Sequence, residues 1–179
     1  MVLLVALALV IGLGPRGALF GQDIAKTKTA ADQGDSGAQY NLGVIYYHGQ
    51  GVRQDYDEAV KWFRKAADQG HASAQFNLGV MYEKGQGIPQ DHGEAAKWFR
   101  KAADQGDAST QFILGVMYWM GQGIPQDYLQ AYVWLNLAAA ALKSPANEAA
   151  AEARDAVAAK LTKSQVERGQ RLASEWKPK

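Results

Sequence analysis

The feature that most restricts this chain is a period. Gly34 to Gln69 reads GDSGAQYNLGVIYYHGQGVRQDYDEAVKWFRKAADQ, and Gly70 to Gln105 repeats it as GHASAQFNLGVMYEKGQGIPQDHGEAAKWFRKAADQ. A third copy opens at Gly106 as GDASTQFILGVMYWMGQGIPQDYLQAYVWLNLAAAA. The opening glycines stand at 34, 70 and 106, so the period is 36, and the first two copies agree at 24 of 36 positions. A fixed period of roughly 20–50 residues means one supersecondary unit stacked on the next, since no single unit can bury its own apolar face.

The unit reads as two helices. In the second copy Ala74, Leu78, Met81 and Tyr82 recur at helical spacing (helix A). Gly85-Gln86-Gly87-Ile88-Pro89 then interrupts, and Ala95, Trp98, Phe99, Ala102 and Ala103 mark a second stripe (helix B), with Lys97, Arg100, Lys101 and Asp104 on its other side. One apolar stripe per helix and a short turn between them define an αα-hairpin. Asp55, Asp91 and Asp127 precede the B helices as N-caps. Gly106 is placed to end a B helix in the left-handed conformation. Gly43, Gly79 and Gly115 fall inside the A helices, where glycine costs about 1 kcal/mol relative to alanine. A cost incurred three times at one register predicts close approach of a neighbouring helix.

The pattern Ala-x-x-x-Leu-Gly-x-x-Tyr-x-x-Gly-x-Gly-(Val/Ile)-x-x-Asp-x-x-x-Ala-x-x-Trp-(Phe/Leu)-x-x-Ala-Ala resembles the Sel-one-like repeat (SLR), a relative of the tetratricopeptide repeat. It runs from Ala38 to Ala67, from Ala74 to Ala103 and, with Thr110 for the first alanine, through Ala139. The resemblance implies an all-α fold, a right-handed α/α superhelix of stacked helix pairs. It also implies a scaffold for protein–protein contacts, with no catalytic residue.

Residues 2–13, VLLVALALVIGL, form an apolar run too short to cross a bilayer, which takes about 20 residues. The run fits the h-region of a signal peptide over residues 1–21, although no Lys or Arg precedes it and no Ala-x-Ala marks the cleavage site. A buried N-terminal helix is the alternative. Residues 22–33 resemble the end of a B helix, Ala30-Ala31-Asp32-Gln33 aligning with Ala66-Ala67-Asp68-Gln69, and so form an orphan cap ahead of three repeats over 34–143. In the third copy the lysines, arginines and aspartates of the outer B face become Val133, Asn136, Leu137 and Ala140, so a following segment is expected to cover it. Residues 144–179 supply that C-terminal cap. Ser144-Pro145 is positioned to start one helix, and Thr162-Lys163-Ser164-Gln165 reads as a capping box opening another with Val166, Leu172, Ala173 and Trp176. At 179 residues the chain is expected to be one elongated domain.

A net charge of +1 provides no field for nucleic acid, and no nucleic-acid motif is present. No second apolar stretch is long enough to span a membrane. With no cysteine, thiol nucleophiles, thiolate metal sites and redox chemistry are excluded. His48, His71 and His92 each stand where the other copies carry a different residue, which does not make a converging ligand set. The Gly-x-Gly pairs follow helices and lack a Walker lysine, so they are turns rather than phosphate loops. Trp62, Trp98 and Trp134 read as core, with a carbohydrate-stacking ladder as the alternative.

Specificity in a repeat scaffold belongs where the copies disagree. On helix A these positions are Asn41/Asn77/Ile113, Tyr47/Glu83/Trp119 and His48/Lys84/Met120. The tetratricopeptide-like resemblance implies that helix A lines the concave surface. Asn41, Tyr47, His48, Asn77, Glu83, Lys84, Trp119 and Met120 are therefore the candidate partner-binding residues. Trp119 and Met120 beside Tyr118 make an apolar patch, unless the C-terminal segment folds over it.

The expectation is a secreted or periplasmic scaffold of a bacterial-type envelope, binding a protein or peptide, without cofactor, metal or catalysis. A cell-wall or glycan-binding module using exposed aromatics is the alternative. A β-lactamase-like hydrolase, an activity described for some cysteine-rich proteins of the resembled family, is the more remote one. It would need a Ser-x-x-Lys nucleophile of the serine β-lactamase type or a zinc-binding His cluster, and the expectation is that the chain has neither.

Overall fold

The computed structural model describes residues 21–179. The expected signal peptide lies, but for Gly21, outside the described residues. Among these residues there are nine helices and no strand. They are α1 (Gly21–Asp32), α2 (Ser36–His48), α3 (Tyr56–Asp68), α4 (Ala72–Lys84), α5 (His92–Asp104), α6 (Ala108–Met120), α7 (Tyr128–Ala141), α8 (Ala146–Ala158) and α9 (Lys163–Glu175). Helices α2, α4 and α6 are the A helices, α3, α5 and α7 the B helices. The chain divides into two compact units, one running to Trp98 and one from Phe99 onward, where the size of the chain suggested a single domain.

In the first unit α1 packs on α2, α2 on α3, and α3 on α4. Asp35 accepts from the Ala38 amide at 2.6 Å to start α2, and Asp55 from the Glu58 amide at 3.0 Å to start α3. At the start of α4 the third capping group is an imidazole: His71 Nδ1 accepts from the Ala74 amide at 3.4 Å. The mid-helix glycine has the expected cause. A Cβ at Gly43 would lie 2.6 Å from the ring of buried Phe63 on α3. A second close approach, at Gly87, is tighter: with φ +67, its Cβ would stand 2.4 Å from the Tyr56 carbonyl. Ala31 on α1 is buried with Leu42, Ile45 and Trp62, so the orphan helix closes the first hairpin's apolar face.

In the second unit α6 packs on α7, and α7 on both α8 and α9. Gly115 meets Leu135 as Gly43 meets Phe63, at 2.7 Å for an added Cβ. Val133 is buried, Asn136 and Leu137 are half-buried, and Ala140 remains exposed, so the tail covers the apolar third B helix over most of its length. Gly169 lets α9 approach α7, where a Cβ would fall 2.6 Å from the Tyr132 ring. The capping box at Thr162 and Gln165 is present. Two expectations for the tail differ. Ser144 does not cap α8: the helix begins at Ala146, which puts side-chain-inert Pro145 at the cap, and the Ser144 hydroxyl donates to Glu148 instead. Leu172 is exposed, because the face α9 buries is the small-residue one of Gly169 and Ala173.

Candidate partner-binding surface

Two sets of polar side chains hold the repeats in register. Gln39, Gln75 and Gln111 are buried on the A helices, and each donates from Nε2 to a carbonyl at the end of the preceding B-type helix: Ala31 at 3.0 Å, Ala67 at 3.1 Å and Ala103 at 3.2 Å. Those carbonyls belong to a last turn, where each also accepts from the amide of Gly34, Gly70 or Gly106, so the glutamine supplies a second donor. Gln54, Gln90 and Gln126 do the same for the A helices, each donating at 2.7 Å to the carbonyl of Tyr47, Glu83 and Trp119. Across repeats, Arg64 donates to the Tyr82 hydroxyl at 2.6 Å, and Arg100 to that of Tyr118 at 3.1 Å. Arg100 therefore works as a tie as well as a surface charge. None of these ties was read from the sequence, although a glutamine at one register of an apolar stripe in all three copies was the available signal.

The candidate residues divide by exposure. Asn41, His48, Lys84 and Met120 are exposed, Met120 at 63 %. Residues seven apart share a helix face, so Asn41 and His48 stand one above the other on α2. Asn77 is half-buried and hydrogen-bonds the Tyr40 hydroxyl. Tyr47 is half-buried among Tyr56 and Phe63 and donates from its hydroxyl to Gln86 at 3.1 Å. Glu83 is paired with His92 at 2.8 Å and its side chain is only 11 % exposed. Trp119 is half-buried against the cluster that includes Phe112, Val116 and Tyr132. The tail does not bury Met120. Burial holds the phenols of Tyr40 and Tyr47 above their ordinary range, opposed at Tyr40 by the Asn77 hydrogen bond and assisted at Tyr47 by Tyr56.

The groups weighed for chemistry are otherwise engaged. His71 caps α4 and stacks on Tyr40 at 4.7 Å, His92 holds Glu83, and His48 meets Tyr47 edge-on at 4.9 Å. No group of three potential metal ligands occurs among the described residues. Trp62, Trp98 and Trp134 are buried, so their faces are not available as a stacking ladder. Contrary to the expectation, one Ser-x-x-Lys spacing does occur, at Ser174-Glu175-Trp176-Lys177. Ser174 is exposed at the end of α9 and its hydroxyl donates to the Arg171 carbonyl at 2.8 Å. No described helix is long and apolar enough to cross a membrane.

Helical hairpins locked by repeated side-chain ties define a repeat scaffold of the α-solenoid class. The chain belongs to the Sel1 repeat family, whose model matches residues 36–71, 72–107 and 108–141. A Sel1 repeat protein from Oxalobacter formigenes is 36 % identical, with a TM-score of 0.67 over 73 % of this chain and 98 % of that one. A protective antigen present in uropathogenic Escherichia coli strains, displaying an SLR fold, is 39 % identical with a TM-score of 0.74 over 88 % of this chain. This chain spans only 33 % of that antigen's length. Helicobacter pylori cysteine rich protein B shares the fold at 18 % identity and a TM-score of 0.56. A putative sel1-like repeat-containing protein of Acanthamoeba polyphaga mimivirus is 50 % identical over 38 residues, 6 % of its length.

Proposed function

We propose that this protein is an exported scaffold that binds another protein through the surface of its A helices. The observation that carries the reading is a contrast at one register. His48, Lys84 and Met120 end the A helices in equivalent places, are exposed, and differ in chemistry from copy to copy, while the glutamine and arginine ties around them repeat. Exposed residues that differ from copy to copy on a scaffold whose ties repeat are suited to recognising a protein partner. Asn41 extends the same face of α2, and Met120 beside half-buried Trp119 adds an apolar contact. The remaining candidates, Tyr47, Asn77 and Glu83, shape and support that surface from half-buried positions. Such an interface binds through a few anchors within a polar rim. Export is supported by the apolar run at residues 2–13. It is also supported by likeness to an Escherichia coli protein described as a protective antigen.

Affinity capture from envelope and culture-supernatant fractions tests the reading. A partner retained by the wild-type chain and lost from the His48→Ala, Lys84→Ala, Met120→Ala triple variant is expected. A partner retained equally by that variant contradicts the A-helix surface. Hydrolysis of a β-lactam by the purified chain contradicts the scaffold reading itself.

A further inference from the structure

We propose that Glu83 and His92 form a pH-sensitive clasp on the second helical hairpin, which holds the end of α4, and Lys84 with it, more firmly as the medium turns mildly acid. The proposal adds regulation to the protein-binding reading and rests on that reading for its use. The clasp itself is measured without a partner.

The clasp joins the last turn of α4 to the first residue of α5. His92 Nδ1 stands 2.8 Å from Glu83 Oε2, and the glutamate side chain is 11 % exposed against 40 % for the imidazole. Between the two helices the turn is stitched at three points. The Gln86 amide donates to the Met81 carbonyl at 3.0 Å, the Asp91 amide to that of Tyr82 at 3.0 Å, and Gln90 Nε2 to that of Glu83 at 2.7 Å. The first hairpin has the same three bonds, from Gln50 to Ile45, from Asp55 to Tyr46 and from Gln54 to Tyr47. The two hairpins share one turn and differ in the side chains that close it.

The registers of Glu83 and His92 hold Tyr47 and Tyr56 in the first copy, with rings 5.3 Å apart. In the third they hold Trp119 and Tyr128, both packed on the cluster of Phe112, Val116 and Tyr132. Two copies close the turn with aromatics, and the second replaces both partners together with an acid and a base. An imidazolium against a carboxylate makes a charge-assisted hydrogen bond, about twice as strong as a neutral one. The pair is strongest where both members are charged, above the ordinary carboxylate range and below the ordinary histidine range, and it weakens as pH rises past the latter. Lys84 follows Glu83 on α4, Asp91 and Glu94 flank His92, Arg64 reaches Tyr82 from α3, and the Tyr47 hydroxyl donates to Gln86 in the turn. Asp91 accepts from the Glu94 amide, and Glu94 pairs with Lys97. Of all these residue types only histidine titrates between about pH 5.5 and 8. His92 opens α5, where the helix dipole opposes a cation, and this keeps the effect modest.

Backbone hydrogen exchange tests the clasp, read by NMR on the full chain at about pH 5.5 and 8 and corrected for the intrinsic rate. The protection factors of Gln86 and Asp91 are expected to fall about threefold from the lower pH to the higher, a partly exposed ion pair supporting no larger change. Those of Gln50 and Asp55, the same amides in the first hairpin, are expected to hold. His92→Gln keeps a donor for Glu83 but does not titrate, and is expected to abolish the difference. His71, which caps the other end of α4, remains in that variant as the competing titrating group. Glu83→Tyr with His92→Tyr rebuilds the first copy's aromatic pair, covers the case in which the glutamine variant fails to fold, and is expected to behave as the first hairpin does. Equal loss of protection at both turns, loss at neither, or a loss that survives His92→Gln or the double variant overturns the proposal. A captured partner without this exchange signature, or the signature without a partner, separates the clasp from the reading it extends.

Discussion

The guanidinium of Arg64 donates a 2.6 Å hydrogen bond to the hydroxyl of Tyr82, joining the B helix of one repeat to the A helix of the next. Tyr82 is only 9 % exposed, so its hydroxyl loses water on folding and needs that donor. Arg64→Ala and Tyr82→Phe are each expected to lower stability by about 1–2 kcal/mol, with a coupling of about 1 kcal/mol in the double variant, since both remove one hydrogen bond to a charged group. Urea denaturation of the four proteins measures it. Additive losses would show that the bond does not join the repeats energetically.

Gly43 tests the close approach of α2 to α3. Alanine there gains about 1 kcal/mol of helix propensity but sets a methyl 2.6 Å from the ring of Phe63, which is 1 % exposed and has no room to withdraw. Overpacking of this kind costs about 1–3 kcal/mol, so Gly43→Ala is expected to be destabilising. Gly43→Ala with Phe63→Leu is expected to be less so than the sum of the two. A raised melting temperature for Gly43→Ala would mean that the helices do not meet there.

The positions of the glycines were legible in the sequence, and so was their reason, because a penalty repeated at one register has few explanations. The same period exposed the helices, the Asp55, Asp91 and Asp127 caps and the tryptophan core. Arg64 and Arg100 were not legible: on a helical wheel they fall on the solvated side, and only the next repeat's tyrosine brings them into use. Glu83 and Trp119 were read as surface because neither the His92 partner nor the packing around Trp119 follows from spacing along one helix. The edge-on contact of Trp176 with Trp134 was invisible for a related reason, the two residues lying 42 apart with no periodicity to connect them.

Gln75 is the buried counterpart of these ties. Its Nε2 reaches the Ala67 carbonyl at 3.1 Å, which also accepts from the Gly70 amide at 3.0 Å, so leucine would keep the volume while removing one of that carbonyl's two donors. Gln75→Leu is therefore expected to cost about 0.5–1.5 kcal/mol, the net worth of one hydrogen bond. Gln75→Glu tests the same bond, since a carboxylate cannot donate to a carbonyl. A neutral effect of leucine on the denaturation midpoint would indicate that water replaces the glutamine.

Alkaline titration reads the tyrosines. Burial raises Tyr40 and Tyr47 in the folded chain, so the neutral phenol is favoured there. Their contribution to stability is fully present below the ordinary phenol pKa of about 10 and is lost as pH rises through the shifted values. Phenolate absorbance at 295 nm is expected to show a late-titrating fraction, reduced in Tyr40→Phe and in Tyr47→Phe. A single transition at the ordinary value, unchanged by both substitutions, would contradict the burial.

Photocrosslinking in living cells tests the partner surface most directly. A photoreactive residue is placed in turn at His48, Lys84 and Met120 on the A helices, and at exposed Lys61 and Lys97 on the B helices. A discrete protein adduct from the A-helix positions, absent from Lys61 and Lys97, is the expected result. Adducts from the B-helix positions alone, or none from any of the three A-helix sites, would contradict it.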